Sequence, residues 1–190
     1  MTAFIEELSI PGVMLITPPR FADARGWFSE TWNGAKLAQH NFTEHFVQDN
    51  HSYSAKRGTI RGLHCQIAPN VQGKLVRVVR GAVWDVAVDI RHGSPTFGRH
   101  AAATLSAENG AQLWIPQGFL HGFVTLEPDT EVVYKVTAPY DREAERAVIW
   151  NDPDLALPWP VDPTDVLLSD KDAALPRLAA CDRWFTLEAT

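Results

Sequence analysis

Between Lys74 and Ile90 apolar and polar residues alternate with a period of two, the spacing of β-strands. Leu75-Val76-Arg77-Val78-Val79 reads as one strand, Arg80-Gly81 as a hairpin connection, and Ala82 to Ile90 as the return. On the return Ala82, Trp84, Val86, Val88 and Ile90 point one way, while Asp85 and Asp89 share the other face with Val83 and Ala87. One apolar face and one mixed face predict an antiparallel sheet rather than a buried parallel one. Further strands follow at Ala101–Leu105, Gln112–Ile115, from His121 onward, and at Thr130–Val136. In the last of these Val132, Tyr134 and Val136 share a face, so the Tyr134 phenol points inward, as a core tyrosine or as something more.

The flanks are less regular. Residues 1–20 read as a short extended segment ending at Pro18-Pro19. After the Arg25-Gly26 turn, Trp27, Ser29 and Thr31 alternate with Phe28, Glu30 and Trp32; Arg25 and Glu30 read either as a solvated pair or as ligand contacts. Asn33 can cap a short helix reaching toward Phe46. Phe46 to Ser52 reads as a strand running into a polar turn, where Gln48-Asp49-Asn50 suit a loop or stand as amides placed to read hydroxyls, since an amide both donates and accepts. From Ala144 the chain is rich in Asp, Pro and Trp and reads as an ordered wrap, because so many aromatics are poorly hydrated in a free linker. Ser169 can cap a last helix with Asp170 and Asp172 in its first turn. Short strands at close intervals with only short helices beside them predict an all-β sandwich or barrel.

Composition narrows the partners. A chain of 190 residues fits one domain, 1–190, with a core that needs no staples. No run approaches the roughly 18 apolar residues of a membrane span, and Met1 to Glu7 lacks the basic start and apolar stretch of a signal peptide. A net charge of -6 offers no field for nucleic acid, so an anionic ligand must be held by a local cluster of cations. Cys65 and Cys181 form no disulfide framework and read as reduced, cytoplasmic thiols.

The chemistry gathers in Arg57-Gly58-Thr59-Ile60-Arg61-Gly62-Leu63-His64-Cys65-Gln66, with Lys74 ten residues beyond the histidine. His64 can accept a proton, and Arg61 and Lys74 can hold an anion. Those are the parts needed to remove a proton from carbon beside a carbonyl. A structural histidine among strands is the plainer alternative. No nucleophile elbow, dinucleotide fingerprint or P-loop is present.

Gly110, then Pro116-Gln117-Gly118 and His121, resembles the second half of the cupin signature. The metal-binding first half is missing, since His64-Cys65-Gln66 supplies neither a second histidine nor a glutamate. His64, His121 and Cys65 could give three ligands in principle, but no metal is expected.

Six motifs together carry a wider resemblance. They are Asp23-Ala24-Arg25-Gly26, Phe46-Val47-Gln48-Asp49-Asn50, Arg61-Gly62-Leu63-His64, Gly73-Lys74-Leu75-Val76, Asp85 to Arg91 with Ser94-Pro95-Thr96-Phe97-Gly98, and Leu168-Ser169-Asp170-Lys171-Asp172. In this order and spacing, from about Pro11 to Pro176, the chain resembles the dTDP-4-dehydrorhamnose 3,5-epimerase family. The resemblance implies a cupin-type jelly roll with a few short flanking helices. It implies epimerisation at C3 and C5 of a dTDP-linked 4-keto-6-deoxy sugar without a cofactor. It casts His64 as the base, Asp172 as the group that holds its imidazole, Tyr134 as the acid on the opposite face and Lys74 as the cation at the enolate oxygen. Arg25, Glu30, Gln48, Asn50, Arg61, His121, Tyr140, Glu145 and Lys171 would contact nucleotide, diphosphate or sugar.

It also implies a homodimer whose N-terminal strands reach the partner, where the sequence itself shows only abundant aromatics for an interface to bury. Cys65 stands where family members often carry an aromatic residue, which implies a smaller or reshaped pocket wall. Cys65 and Tyr140 are therefore the details expected to separate a two-carbon from a one-carbon epimerase. A non-catalytic sugar-nucleotide-binding cupin and a metal-dependent cupin enzyme remain as rivals.

Overall fold

A computed structural model describes residues 3–187 of the chain. Met1 and Thr2, the head of the segment read for a signal peptide, and residues 188–190 lie outside the described residues. In chain order the elements begin with β1 (Phe4–Glu7), β2 (Met14–Thr17), β3 (Phe21–Asp23), β4 (Gly26–Phe28) and α1 (Gly34–Ala38). The middle of the chain forms β5 (Gln48–Ser54), β6 (Ile60–Gln66), β7 (Lys74–Arg80), β8 (Ala82–Asp89), β9 (Arg91–His92) and β10 (His100–Ser106). Then come β11 (Gln112–Ile115), β12 (Phe119–Thr125), β13 (Thr130–Val136), β14 (Glu145–Ala147), α2 (Asp170–Ala173) and β15 (Phe185–Thr186).

Two antiparallel sheets stack as a jelly roll. One runs β1-β2-β11-β7-β13-β5 and the other β10-β8-β12-β6-β14. Between them Val76, Val78, Leu113, Ile115 and Val132 of the first pack on Val83, Ala87, Leu105, Phe119 and Phe123 of the second. Both outer faces are also covered. Over the five-stranded sheet, Val148, Leu155, Leu157 and Trp159 of the C-terminal segment lie on Leu63, Val86, Val88 and Leu120, which is the wrap the sequence predicts. Over the six-stranded sheet, Leu37 of α1 and Phe42 pack on Ile16, Leu75 and Trp114.

The structure alters four expectations. Arg80-Gly81 is not a hairpin connection: β7 and β8 belong to different sheets, and Gly81 turns the corner between them. One residue is too short for a hairpin loop. Gly81 has φ +74°, and a Cβ there would lie 2.4 Å from Thr130 Oγ1, so the corner demands glycine. Consequently the apolar face of β8 lies under the tail, and the mixed face carrying Asp85 turns inward. The early helix stops at Ala38, although Asn33 does cap it by accepting from the Lys36 amide at 3.1 Å; Asn41 at φ +61° ends the helical path and Phe42 folds back onto Trp114. Residues 1–20 hold two strands rather than one extended segment. Gln48-Asp49-Asn50 is not a turn but the start of β5, an edge strand paired only with β13, where polar side chains are tolerated.

A glycine pair sets the register at the site. Gly62 sits at φ +137°, and a Cβ on it would lie 2.6 Å from the Gly122 Cα. The register of β12 on β6 shifts beside Gly122, bringing His121 directly opposite His64. Among the described residues no helix is long and apolar enough to cross a membrane. Both cysteines are free thiols.

Candidate active site

His64 and His121 sit on adjacent strands of the five-stranded sheet, while Tyr134, Lys74 and Ser52 come from the six-stranded sheet. All five, with Arg61, Phe123 and Asp172, line one cavity of about 180 Å³. A second lobe of about 120 Å³ shares His64, Lys74 and Tyr134 and adds Asn50, Tyr140 and Glu145. Imidazole and phenol thus enter the same space from opposite walls.

Each imidazole has its own carboxylate. His64 Nε2 lies 2.7 Å from Asp172 Oδ1. Asp172 is brought there by α2, whose cap Ser169 accepts from the Asp172 amide at 3.1 Å. Burial works to raise the Asp172 pKa, but the His64 hydrogen bond and charge outweigh it and hold the carboxyl below the usual range. Asp172 thus lies in the first turn of its helix, as the sequence suggests, and also bonds the histidine directly. His121 Nε2 lies 3.0 and 3.1 Å from the two oxygens of Asp85, and both residues are buried. Burial lowers the His121 pKa against the opposing pull of Asp85.

The Lys74 ammonium is 3.4 Å from the His64 carbonyl. Burial lowers its pKa, and the negative charges of Asp85 and Glu145 oppose that shift. Burial raises the Tyr134 pKa, so the phenol keeps its proton at neutral pH and can donate it. At the outer edge Tyr140 Oη is 3.2 Å from Glu145 Oε2, and Lys171 Nζ is 2.5 Å from the same oxygen.

Several expected contacts lie elsewhere. Arg25 bonds Asp23 at 2.5 Å with its side chain 89% exposed, and lines neither lobe. Glu30 bonds Lys36 at 2.7 Å and lines a larger groove, about 390 Å³, on the outer face of the six-stranded sheet. Gln48 has both ends of its amide occupied within the chain. Cys65 touches the second lobe but belongs to the cluster beneath the C-terminal segment, with Cys181 packed against it, so it shapes that layer more than the pocket wall.

Ser52 and Asp85 were not singled out as site residues. Asp85 is a diagonal neighbour of His121 because β12 pairs with β8 as Phe123 to Asp85. Only that register, absent from the sequence, reveals it. Among the described residues no three His, Cys, Asp or Glu side chains group in a way that could hold a metal.

A jelly roll with a carboxylate-bonded imidazole and a phenol on facing walls has the parts that an enzyme of the epimerase class needs, and the comparisons agree. Residues 7–180 match the family described as dTDP-4-dehydrorhamnose 3,5-epimerase. The chain is 51% identical over 175 residues to the dTDP-4-dehydrorhamnose 3,5-epimerase of Sinorhizobium fredii, covering 92% of this chain and 89% of that one. A crystal structure of the dTDP-6-deoxy-D-glucose-3,5-epimerase of Legionella pneumophila with dTDP-4-keto-L-rhamnose superposes with a TM-score of 0.93 at 42% identity, over 98% of this chain and 100% of that one. A 3'-monoepimerase of Streptomyces bikiniensis in complex with dTDP-quinovose gives a TM-score of 0.84 at 37% identity, over 90% and 86% of the two chains. The protein belongs to the dTDP-4-dehydrorhamnose 3,5-epimerase family.

Proposed function

We propose that this protein inverts C3 and C5 of a dTDP-linked 4-keto-6-deoxy sugar through an enolate, with His64, Asp172, Lys74 and Tyr134 as its machinery. The C4 ketone acidifies the hydrogens on both neighbouring carbons, so the chemistry calls for no electron sink. With Nε2–H given to Asp172, the His64 lone pair on Nδ1 is left to take the proton. The Asp172 carboxylate then balances the imidazolium. Lys74 steadies the oxyanion, a contribution of several kcal/mol by order of magnitude in a dry pocket. Tyr134 returns a proton from the other wall, and the inverted centre results.

Arg61 and Lys171 are cations for the diphosphate. Asn50, Gln48, His121 and Glu145 are polar partners for sugar and phosphate, and Tyr140 is a flat wall for the base. Arg25, and Glu30 just beyond its hairpin, take part only if a partner subunit carries them over, so we place the working form as a homodimer. Exposed Trp27 and Phe28 on that hairpin support this. Two free thiols favour a cytoplasmic setting.

The observation that carries the reading is the shared cavity with His64 and Tyr134 on facing sheets. The test is incubation with dTDP-4-keto-6-deoxyglucose in deuterated water. Label at both C3 and C5 is expected; label at one carbon alone makes the protein a mono-epimerase. A His64→Ala protein that exchanges as fast as the unmutated one removes the histidine from the base role.

A further inference from the structure

Three glutamines converge on the loop between β13 and β14. Gln72 Nε2 donates to the Ala138 carbonyl at 2.7 Å. Gln66 Nε2 donates to the Pro139 carbonyl at 3.1 Å, and its Oε1 accepts from the Asp141 amide at 2.9 Å. Gln48 Oε1 accepts from the Tyr140 amide at 3.0 Å. Four consecutive residues, 138 to 141, therefore each have a backbone group tied to a side-chain amide. The tie is reinforced below: Gln66 Nε2 also reaches the Asn70 carbonyl at 2.7 Å, and Asn70 Nδ2 reaches Asp141 Oδ2 at 2.8 Å.

An exposed loop ordinarily gives its backbone groups to water. Here one buried and two half-buried side-chain amides take them, each amide carrying a donor and an acceptor on separate atoms. Gln66 is 3% exposed, so its burial is tolerable only because both ends are bonded. Yet Tyr140, at the apex of this fixed loop, is 57% exposed beside the second lobe. A rigid backbone under an open aromatic ring is the arrangement of a preformed platform. Such preordering strengthens binding by lowering the entropy lost when a flat ligand settles on it.

Resting on the function proposed above, we propose that Gln66 and Gln72 are positioning residues that, with Gln48, hold the 138–141 loop so that the Tyr140 ring stands ready to receive the nucleotide base of the substrate. Gln66 and Gln72 also line the second lobe, but their amide donors are engaged by the loop backbone, so their loss should weaken binding and spare the chemical step.

The experiment is a double-mutant cycle on Gln72 and Tyr140, read as KM and kcat with dTDP-4-keto-6-deoxyglucose and as dTDP affinity by calorimetry. Gln72→Ala and Tyr140→Ala are each expected to raise KM and the dTDP dissociation constant about tenfold with kcat within about twofold. In the Tyr140→Ala background, Gln72→Ala should add less than about twofold, because the platform it serves is gone. Gln66→Leu is expected to behave like Gln72→Ala; if it fails to fold, the half-exposed Gln72 still carries the test. An unchanged KM in Gln72→Ala, a fall in kcat alone, or a full additional loss in the Tyr140→Ala background overturns the proposal. Failure of the underlying function looks different: the unmutated protein then exchanges neither C3 nor C5, while dTDP titration still reads the platform. If the unmutated protein binds no dTDP, the platform proposal falls as well.

Discussion

Two imidazoles stand opposite one another on β6 and β12, and what separates their roles is exposure. The His64 side chain is 25% exposed and opens on the cavity; that of His121 is 8% exposed. Burial favours the neutral form of His121, with Nε2–H on Asp85, and on the function proposed above Nδ1 would accept from a sugar hydroxyl. Asp172→Asn keeps the shape beside His64 but removes the charge that balances the imidazolium. It should lower kcat by about 10²- to 10⁴-fold with KM little changed, which steady-state kinetics checks. Lys74 makes a pH prediction. Its pKa is lowered by burial, so its charge is lost at a pH below the ordinary lysine range, and kcat should fall on the alkaline side as the oxyanion loses its partner. The Tyr134 shift runs the other way, so the phenol keeps its proton longer than usual. Following C3 and C5 exchange against pH in Tyr134→Phe separates the two: the limb should persist, and its disappearance would assign it to the phenol.

At the scale of elements, strand positions are held by a few backbone constraints. A methyl group at Gly62 would collide with the Gly122 backbone and force an unfavourable φ, a strain of about 1–3 kcal/mol. Gly62→Ala should lower the melting temperature by about 2–10 °C and, by shifting His64 against His121, reduce activity even where it folds. The loop after β8 is held by Asp89, which accepts from Arg91, Ser94 and Thr96. Burial works to raise its pKa, but those bonds prevail and hold it at about 2, below its unfolded value. The stability this gives is present above pH 4 and is lost as pH falls toward 2, about 2 kcal/mol in all. Acid titration of thermal stability should show a smaller loss across that interval in Asp89→Asn than in the unmutated protein. So the Asp85–Arg91 and Ser94–Gly98 motifs, which helped to place the family, divide between Asp85, which holds the His121 ring, and a loop clasp, Asp89. The sequence made β13 legible because its alternation reflects burial on the faces of a sheet, and β11 legible as a short strand stopped by Pro116-Gln117-Gly118. It took the polar part of β5 for a turn, because an edge strand can be polar, and it misjudged Gly81, because alternation continues unbroken when a chain passes from one sheet to another. His64, Lys74 and Tyr134 were legible as residue types on strands. The Asp172 bond came from the resemblance, and Asp85 needed a register that no local pattern encodes.

At the scale of the whole molecule, the single chain accounts for the reacting end of the site but leaves Arg25 and Glu30 outside it. The hairpin of β3 and β4 that carries Arg25 bears Phe21, Trp27 and Phe28 at 45%, 59% and 68% exposure. Exposed aromatics so close together are costly in water and suit a covered position. In a two-fold dimer, the same patch on each copy meets the same surface on the other, so each hairpin could serve its partner's cavity. A subunit carrying His64→Ala lacks the base but supplies an intact hairpin, and a subunit carrying Arg25→Ala with Glu30→Gln supplies the base but a defective hairpin. Neither homodimer has a complete site. Random exchange makes half of all dimers mixed, and each mixed dimer has one intact site and one doubly defective site, so about a quarter of all sites should recover. Subunits unfolded together and refolded as a mixture should regain activity near that fraction, while the same proteins combined without exchange should stay inactive. Mixtures that recover nothing would mean that the hairpin serves its own chain, while full activity of the Arg25→Ala, Glu30→Gln protein by itself would detach both residues from the substrate.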